Sequence, residues 1–284
     1  MNKVILITGT STGLGIAIAV QAAKAGHTVY ATMRNTEKRG PLDQAAKDND
    51  VKLEVLQLDV QETKSISAAV ETVIKQQGRI DVLINNAGMG YARSLEQADE
   101  ADILRILDIN YMGVARCTKA VMPHMRQARA GHIINISSVG GLVGQPFNEV
   151  YCGAKFAVEG LTEAMASYIT PSFGIHFSAV EPGGITTEFA NTVLAQIAET
   201  GGMLDDEYLP ILQKYVSGAQ DRQSEGIYQS ADEVAAVVMQ VMASQEPPIR
   251  VRSSEWADEF TKFKTGLDTD GLKQQKMVVD QFLS

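Results

Sequence analysis

Six short β-branched runs punctuate the first part of the chain, and a stretch of helical periodicity follows most of them. The runs are "KVILIT" from Lys3, "TVYATM" from Thr28, "KLEVLQL" from Lys52, "DVLIN" from Asp81, "HIINIS" from His132 and "HFSAV" from His176. Ile66, Ala69, Val70, Val73 and Ile74 exemplify the intervening stripes, recurring every three to four residues before "QQG". Strands separated by helices cannot pair as hairpins. They must run parallel, with the helices crossing over both faces of one sheet. A seventh run, "PIRVR" at Pro248 to Arg252, follows the stripe Val234, Val237, Val238 and Val241. The expectation is an α/β fold with a doubly wound parallel sheet of about seven strands. No low-complexity linker and no internal repeat divides residues 1–284. A single domain is expected, with an insert from Thr186 to Ser230 between the sixth and seventh strands.

Composition narrows the function classes. Of 284 residues, 45% are hydrophobic and 21% charged, ordinary values for a globular protein. The formal charge is −9, so nothing electrostatic favours nucleic acid or anionic membrane. Cys117 and Cys152 are the only cysteines and form no metal-ligand or disulfide pattern. No metal site is expected from them or from the four histidines, His27, His124, His132 and His176. The opening "MNKVILITGTSTG" has too short an apolar run for a signal peptide or a span, which predicts a cytoplasmic protein.

"VILITGTSTGLGIAIA" reads as a buried strand, a turn containing Gly9, Gly13 and Gly15, and a helix. The pattern G-x-x-x-G-x-G lets backbone N–H groups approach a pyrophosphate at the helix N-terminus, as in Rossmann-type sites. A plain βα turn rich in glycine is the alternative. After the second strand, "YATMRNTEKRG" carries Arg34 and no acid before Glu37. A guanidinium there would pair with a 2′-phosphate, and Ser11 could add a hydroxyl donor. This favours NADP(H), with NAD(H) possible; a solvated loop Arg is the competing account.

The motifs "TGTSTGLG" at Thr8, "LDV" at Leu58, "NNAG" at Asn85, Asn110, "INISS" before Ser138, "YCGAK" at Tyr151 and "PGGITT" at Pro182 occur in that order. In order and spacing the set resembles the short-chain dehydrogenases/reductases of the compact single-domain type, up to about Thr187. "VYATMRN" and "SSVGGLVGQPFNEVYCGAKFAVEGL" look most like the 17β-hydroxysteroid and retinol dehydrogenase branch, which commonly uses NADP(H). The resemblance implies a catalytic set of Ser138, Tyr151 and Lys155. It implies that Asn110 holds a water in a proton relay; a locally satisfied polar residue is the alternative. It places Leu14 with the glycine turn, Asp59 and Val60 at the adenine end, and Asn86, Ala87 and Gly88 near the adenine ribose. Pro182, Gly183 and Thr187 fall at the nicotinamide. Members of the family are often homo-dimers or homo-tetramers.

Tyr151 and Lys155 stand four apart near the start of a helix, so they share a face. A free phenol titrates near pH 10 and is a poor base at neutrality. A neighbouring ammonium and the positive end of the helix dipole favour phenolate. Such a phenol could exchange a proton with an alcohol or ketone oxygen that Ser138 positions. The family implies that Lys155 also binds the nicotinamide ribose. The resulting expectation is an NAD(P)H-dependent oxidoreductase that interconverts a secondary alcohol and a ketone. Its substrate would be hydrophobic, steroid-, retinoid- or small-ketone-like. A catalytically silent NADP(H)-binding sensor is the rival, though a sensor needs no such triad.

Residues in the insert, among them Phe189, Val193, Leu194, Ile197, Leu212 and Tyr215, could form an apolar lid or pack on the body or another subunit. Asn85 could tie adjacent strands through its side chain. Cys152 reads as a buried thiol. Trp256 could line a pocket or anchor the tail.

Overall fold

The structure, a computed structural model, describes residues 2–186, 197–198 and 202–282. Thr187, Phe189, Val193 and Leu194 lie outside the described residues. The seven expected strands all form: β1 (Val4–Ile7), β2 (Thr28–Met33), β3 (Glu54–Gln57), β4 (Val82–Asn85), β5 (Gly131–Ile136), β6 (Ile175–Glu181) and, late in the chain, β9 (Arg250–Arg252). They make one parallel sheet in the order β3-β2-β1-β4-β5-β6-β9, the Rossmann-type order. Two further strands, β7 (Ile185–Thr186) and β8 (Gln229–Ser230), pair with each other in a separate parallel ladder.

Period-two alternation divides the sheet between two cores. Ile5 and Ile7 of β1 face one side, together with Val82 and Ile84 of β4. There they meet Ile18 and Ala22 of α1 (Gly13–Lys24) and Val234, Val238 and Val241 of α8 (Ala231–Ala243). Val4, Leu6 and Leu83 face the other side. That side is covered by Ile66, Val70 and Val73 of α3 (Thr63–Gln77), Cys117, Val121 and Met125 of α5 (Gly113–Ala128), and Ala166 and Ile169 of α6 (Glu149–Phe173). Strands buried on both faces explain the continuous apolar runs in the sequence.

The helices end where local chemistry stops them. Gly78 and Gly174 take left-handed conformations (φ 75° and 68°) after α3 and α6. Ser230 and Glu233 form a reciprocal capping box at the start of α8. Further α-helices among the described residues are α2 (Gly40–Asp48), α4 (Glu100–Leu107), α7 (Leu209–Ser224), α9 (Glu255–Thr265) and α10 (Leu272–Phe282). Between α4 and α5, residues Asp108–Met112 form a π-turn, in which the Gly113 N–H donates to the Asp108 carbonyl. None of the described helices is long and apolar enough to cross a membrane.

The rim where the strands begin carries anchoring contacts. Asp81 Oδ2 accepts from the Val4 N–H at 2.7 Å, and Lys3 Nζ donates to the Met242 carbonyl at 2.6 Å. His132 is buried beside Ser178 Oγ at 2.9 Å, and burial pulls the imidazole down to about 3. His27 Nδ1 accepts from the Lys3 N–H at 3.2 Å.

Candidate active site

The opposite rim, where the strands end, opens into a cleft of about 1240 Å³. Segments following β1, β2, β3, β4, β5 and β6 all reach it. Strand order reverses between β1 and β4, and a crevice at such a switch point is where doubly wound sheets take ligands.

At one end lies the glycine turn, with Gly9, Ser11, Gly13, Leu14 and Gly15 on the cleft. Gly9 has φ +71°, and a Cβ there would stand 2.7 Å from Ala87 Cα. A Cβ on Gly15 would stand 2.3 Å from the Gly9 carbonyl oxygen. The turn therefore packs too tightly for any side chain at either place. Helix α1 starts from Thr12 without a side-chain cap and has no acid in its first turn. Its leading N–H groups are left for an anion. Asn86 ties this turn down: its Nδ2 donates to the carbonyls of Thr8 (3.0 Å) and Gly9 (2.8 Å). The N–H groups of Asn86 and Ala87 donate to Thr8 Oγ1 at 3.1 and 3.0 Å.

Arg34 lines the cleft after β2. Its exposed guanidinium has no hydrogen bond or ion pair among the described residues. Asp59 and Val60 follow β3 on the same wall, with Asp59 Oδ1 accepting from the Gln61 N–H at 3.0 Å. These features fit a dinucleotide: a side-chain-free cradle and unclaimed helix N–H groups, with the Arg34 guanidinium one strand away.

At the other end stand Ser138, Tyr151 and Lys155, with Pro182 and Gly183 beside them. Ser138 follows β5, and its hydroxyl accepts from the Gly140 N–H at 3.0 Å, which orients the short turn Val139–Gly141. Tyr151 lies in the first turn of α6 and hydrogen-bonds Ser138. Lys155 is buried one turn later, where its Nζ donates to the Ile136 carbonyl at 2.8 Å and sits 5.7 Å from the centre of the Tyr151 ring. A Cβ on Gly88 would approach Asn110 Oδ1 to 3.0 Å and Lys155 Nζ to 3.8 Å, so these three groups adjoin.

The electrostatics differ from the sequence expectation in one respect. Phenolate was expected to be favoured. Instead, burial pushes the Tyr151 phenol up to about 12, although its hydrogen bond with Ser138 acts in the lowering direction. Burial also pulls the Lys155 ammonium down to about 8. Desolvation disfavours the charged form of each and is the largest influence on both.

Asn110 is wholly buried behind the cleft. Its Oδ1 accepts from the Met89 N–H and its Nδ2 donates to the Met89 carbonyl, both at 2.8 Å. Met89 thus takes one of the two donors and one of the two acceptor positions of the amide. Asn85 links strands as expected, donating to Asn135 Oδ1 at 2.8 Å across the β4–β5 pair, and Asn135 passes the chain on to Thr162 at 2.9 Å.

Further residues complete the cleft; Asn148 and Tyr228 were not singled out from the sequence, whereas Tyr215 and Trp256 were. Asn148 Nδ2 donates to the Tyr215 hydroxyl at 2.8 Å, joining the start of α6 to α7. Trp256 lines the cleft, packing on Gly183, where a Cβ would stand 3.0 Å from its ring, and stacking on Phe260 at 4.9 Å. Tyr228 covers Gly184 in the same way, at 2.2 Å. The one local signal was the glycine pair of "PGG", which leaves room for two rings brought in from distant sequence.

Known proteins carry the same build. Residues 3–198 match the short chain dehydrogenase family. 17-beta-hydroxysteroid dehydrogenase type 1 of Homo sapiens is 38% identical over 260 residues, covering 89% of this chain and 78% of that protein. Retinol dehydrogenase 8 of Bos taurus is 39% identical over 258 residues, covering 89% and 81%. Among solved structures, a variant of actinorhodin polyketide ketoreductase with NADPH superposes with a TM-score of 0.74 at 27% identity, covering 85% of this chain and 90% of that one. A match over more than half its length, on a sheet of this order with its cleft at the strand ends, makes this chain a member of the short chain dehydrogenase family of oxidoreductases.

Proposed function

We propose that the chain interconverts a secondary alcohol and a ketone on a hydrophobic substrate, with NADP(H) preferred over NAD(H). The observation that carries this is the meeting of Ser138, Tyr151 and Lys155 on one wall of a cleft whose other end is a glycine turn. When bound, the nicotinamide supplies the hydride acceptor or donor. Everything else falls to the chain. Ser138, held by the Gly140 N–H, positions the substrate oxygen. The Tyr151 hydroxyl gives that oxygen a proton in reduction and removes one in oxidation. At neutral pH the free chain holds the phenol protonated, the form that reduction needs. Lys155 keeps its ammonium beside the ring and offers its remaining donors to the nicotinamide ribose.

Gly9, Gly13 and Gly15 cradle the pyrophosphate, Arg34 takes the 2′-phosphate with Ser11 beside it, and Asp59 and Val60 flank the adenine. Pro182 and Gly183 border the nicotinamide. The similarity to 17-beta-hydroxysteroid dehydrogenase and retinol dehydrogenase supports a hydrophobic substrate. So do Leu212, Tyr215, Tyr228 and Trp256 on the cleft. Within the 186–230 insert of a single domain 1–284, the stretch carrying Leu212 and Tyr215 serves as the cover. The test is a panel of steroids, retinoids and small ketones with NADPH and NADH, read by loss of reduced-nicotinamide absorbance. Turnover of at least one hydrophobic ketone, faster with NADPH, is expected. Turnover of none, with cofactor bound normally, would favour a silent nucleotide sensor.

A further inference from the structure

Behind the triad lies a pair of carboxyl groups that the reaction does not use. Glu159 follows Lys155 by one helical turn, so Tyr151, Lys155 and Glu159 share a face of α6. Glu181 ends β6, immediately before Pro182. Both are buried, at 5% and 0% exposure, and their carboxyl groups meet. Besides Glu181, the neutral Ser137 hydroxyl lies beside the Glu159 carboxyl, and no charged donor among the described residues hydrogen-bonds either Glu159 oxygen or Glu181 Oε1.

The surroundings are asymmetric. Glu181 Oε2 accepts from Arg252 Nη1 at 3.2 Å. Arg252 is anchored in turn by Asp258 of α9 at 2.8 Å and by the Thr269 carbonyl at 2.7 Å. Among the described residues Glu159 has no ion pair, and the nearest cation along its own helix is Lys155. Glu163, a turn further along α6, is taken by Arg250 of β9 at 2.7 Å. Another side is formed by Ser137 and the backbone of Gly141, where a Cβ would stand 2.9 Å from both Glu159 Cγ and Ser137 Oγ. The pair thus underlies the turn that carries Ser138.

Two buried carboxylates in contact, with a cation on only one, cannot both be ionised. A proton on one Glu159 oxygen, donated to Glu181 Oε1, gives each carboxyl a partner in the other. We propose that Glu159 and Glu181 hold a single proton between them, kept on Glu159 by the pairing of Glu181 with Arg252, and that a neutral Glu159 leaves the Lys155 ammonium directed at the cleft. Glu159 is then a positioning residue. An ionised Glu159 would draw Nζ back along the helix and hold its proton more tightly. The directions agree: burial, and then the Glu181 charge, raise Glu159 well above the usual carboxyl range. The consequence for Lys155 rests on the function proposed above, whereas the location of the proton does not.

The test therefore has two readouts. Infrared difference spectra of the cofactor-free protein at neutral pH, wild type against Glu159→Gln, should show one buried protonated carboxyl lost in the variant. Glu181→Gln should lose the same band, because Arg252 then has Glu159 as its nearest buried carboxylate. In Glu181→Gln the alkaline limb of NADPH affinity, followed by titration against pH, should move upward by about one unit. The double variant Glu159→Gln/Glu181→Gln should return that limb to its wild-type position. Absence of the band in wild type, its survival in either single variant, or a limb unmoved when the band is lost overturns the proposal. The Glu159→Gln spectrum requires no turnover. It decides the location of the proton even if Glu181→Gln fails to fold or no substrate is found.

Discussion

Burial acts in opposite senses on the two titrating partners of the candidate site, and the pH behaviour follows from that. Lys155 is depressed from its ordinary 10.5 to about 8, so its ammonium is complete below neutrality and is lost as pH rises through about 8. Tyr151, raised to about 12, stays protonated throughout that range. Reductive turnover should therefore fall across about pH 8 with one proton lost, and the rate profile checks this. A limb confined to pH 10 and above would assign the loss to the phenol instead. Tyr151→Phe removes the proton donor while keeping the ring. It should lower kcat by about 10²- to 10⁴-fold and leave NADPH titration close to wild type. Arg34→Glu places a carboxylate where the 2′-phosphate would lie, and the ratio of kcat/KM for NADPH over NADH should fall by at least about tenfold. An unchanged ratio would remove Arg34 from that subsite.

At the scale of elements, the strands were legible because their signal is local. Ile5, Ile7, Val82 and Ile84 are apolar for one core and Val4, Leu6 and Leu83 for the other, so each strand is a continuous apolar run. The pair β7–β8 was not legible, since two residues each give no period. The π-turn at Asp108–Met112 was also hidden, because its sequence reads as ordinary helix and the turn is recognised only from the Gly113–Asp108 bond. The cleft divides in the same way. The glycine turn and the Tyr151–Lys155 spacing are short-range patterns. Trp256 on Gly183 and Tyr228 on Gly184 are encounters between distant segments, and the raised phenol comes from burial that no local pattern records. Two element-level tests follow. Gly15→Ala forces a Cβ against the Gly9 carbonyl and should cost about 1–3 kcal/mol, read as a lower thermal midpoint with weakened NADPH binding. Asn85→Ala leaves Asn135 Oδ1 without its buried donor and should cost a further about 1–3 kcal/mol in chemical denaturation.

Across the whole molecule, the C-terminal helix is a buttress rather than part of the cleft. Gln275 Nε2 of α10 donates to the Ala166 carbonyl at 2.6 Å, and Gln274 reaches Glu163 at 3.0 Å. A chain ending at Gly271 should melt about 2–4 °C lower for each kcal/mol lost, with NADPH affinity unchanged; a large loss of affinity would show that α10 shapes the cleft. A second partition is set by strand direction. Because every strand of the main sheet points the same way, chemistry collects at one rim and the anchoring contacts of Lys3, Asp81 and His132 at the other. Lesions at the two rims should therefore differ in kind: near the strand starts they diminish how much protein survives, and near the strand ends they diminish what each surviving molecule can do.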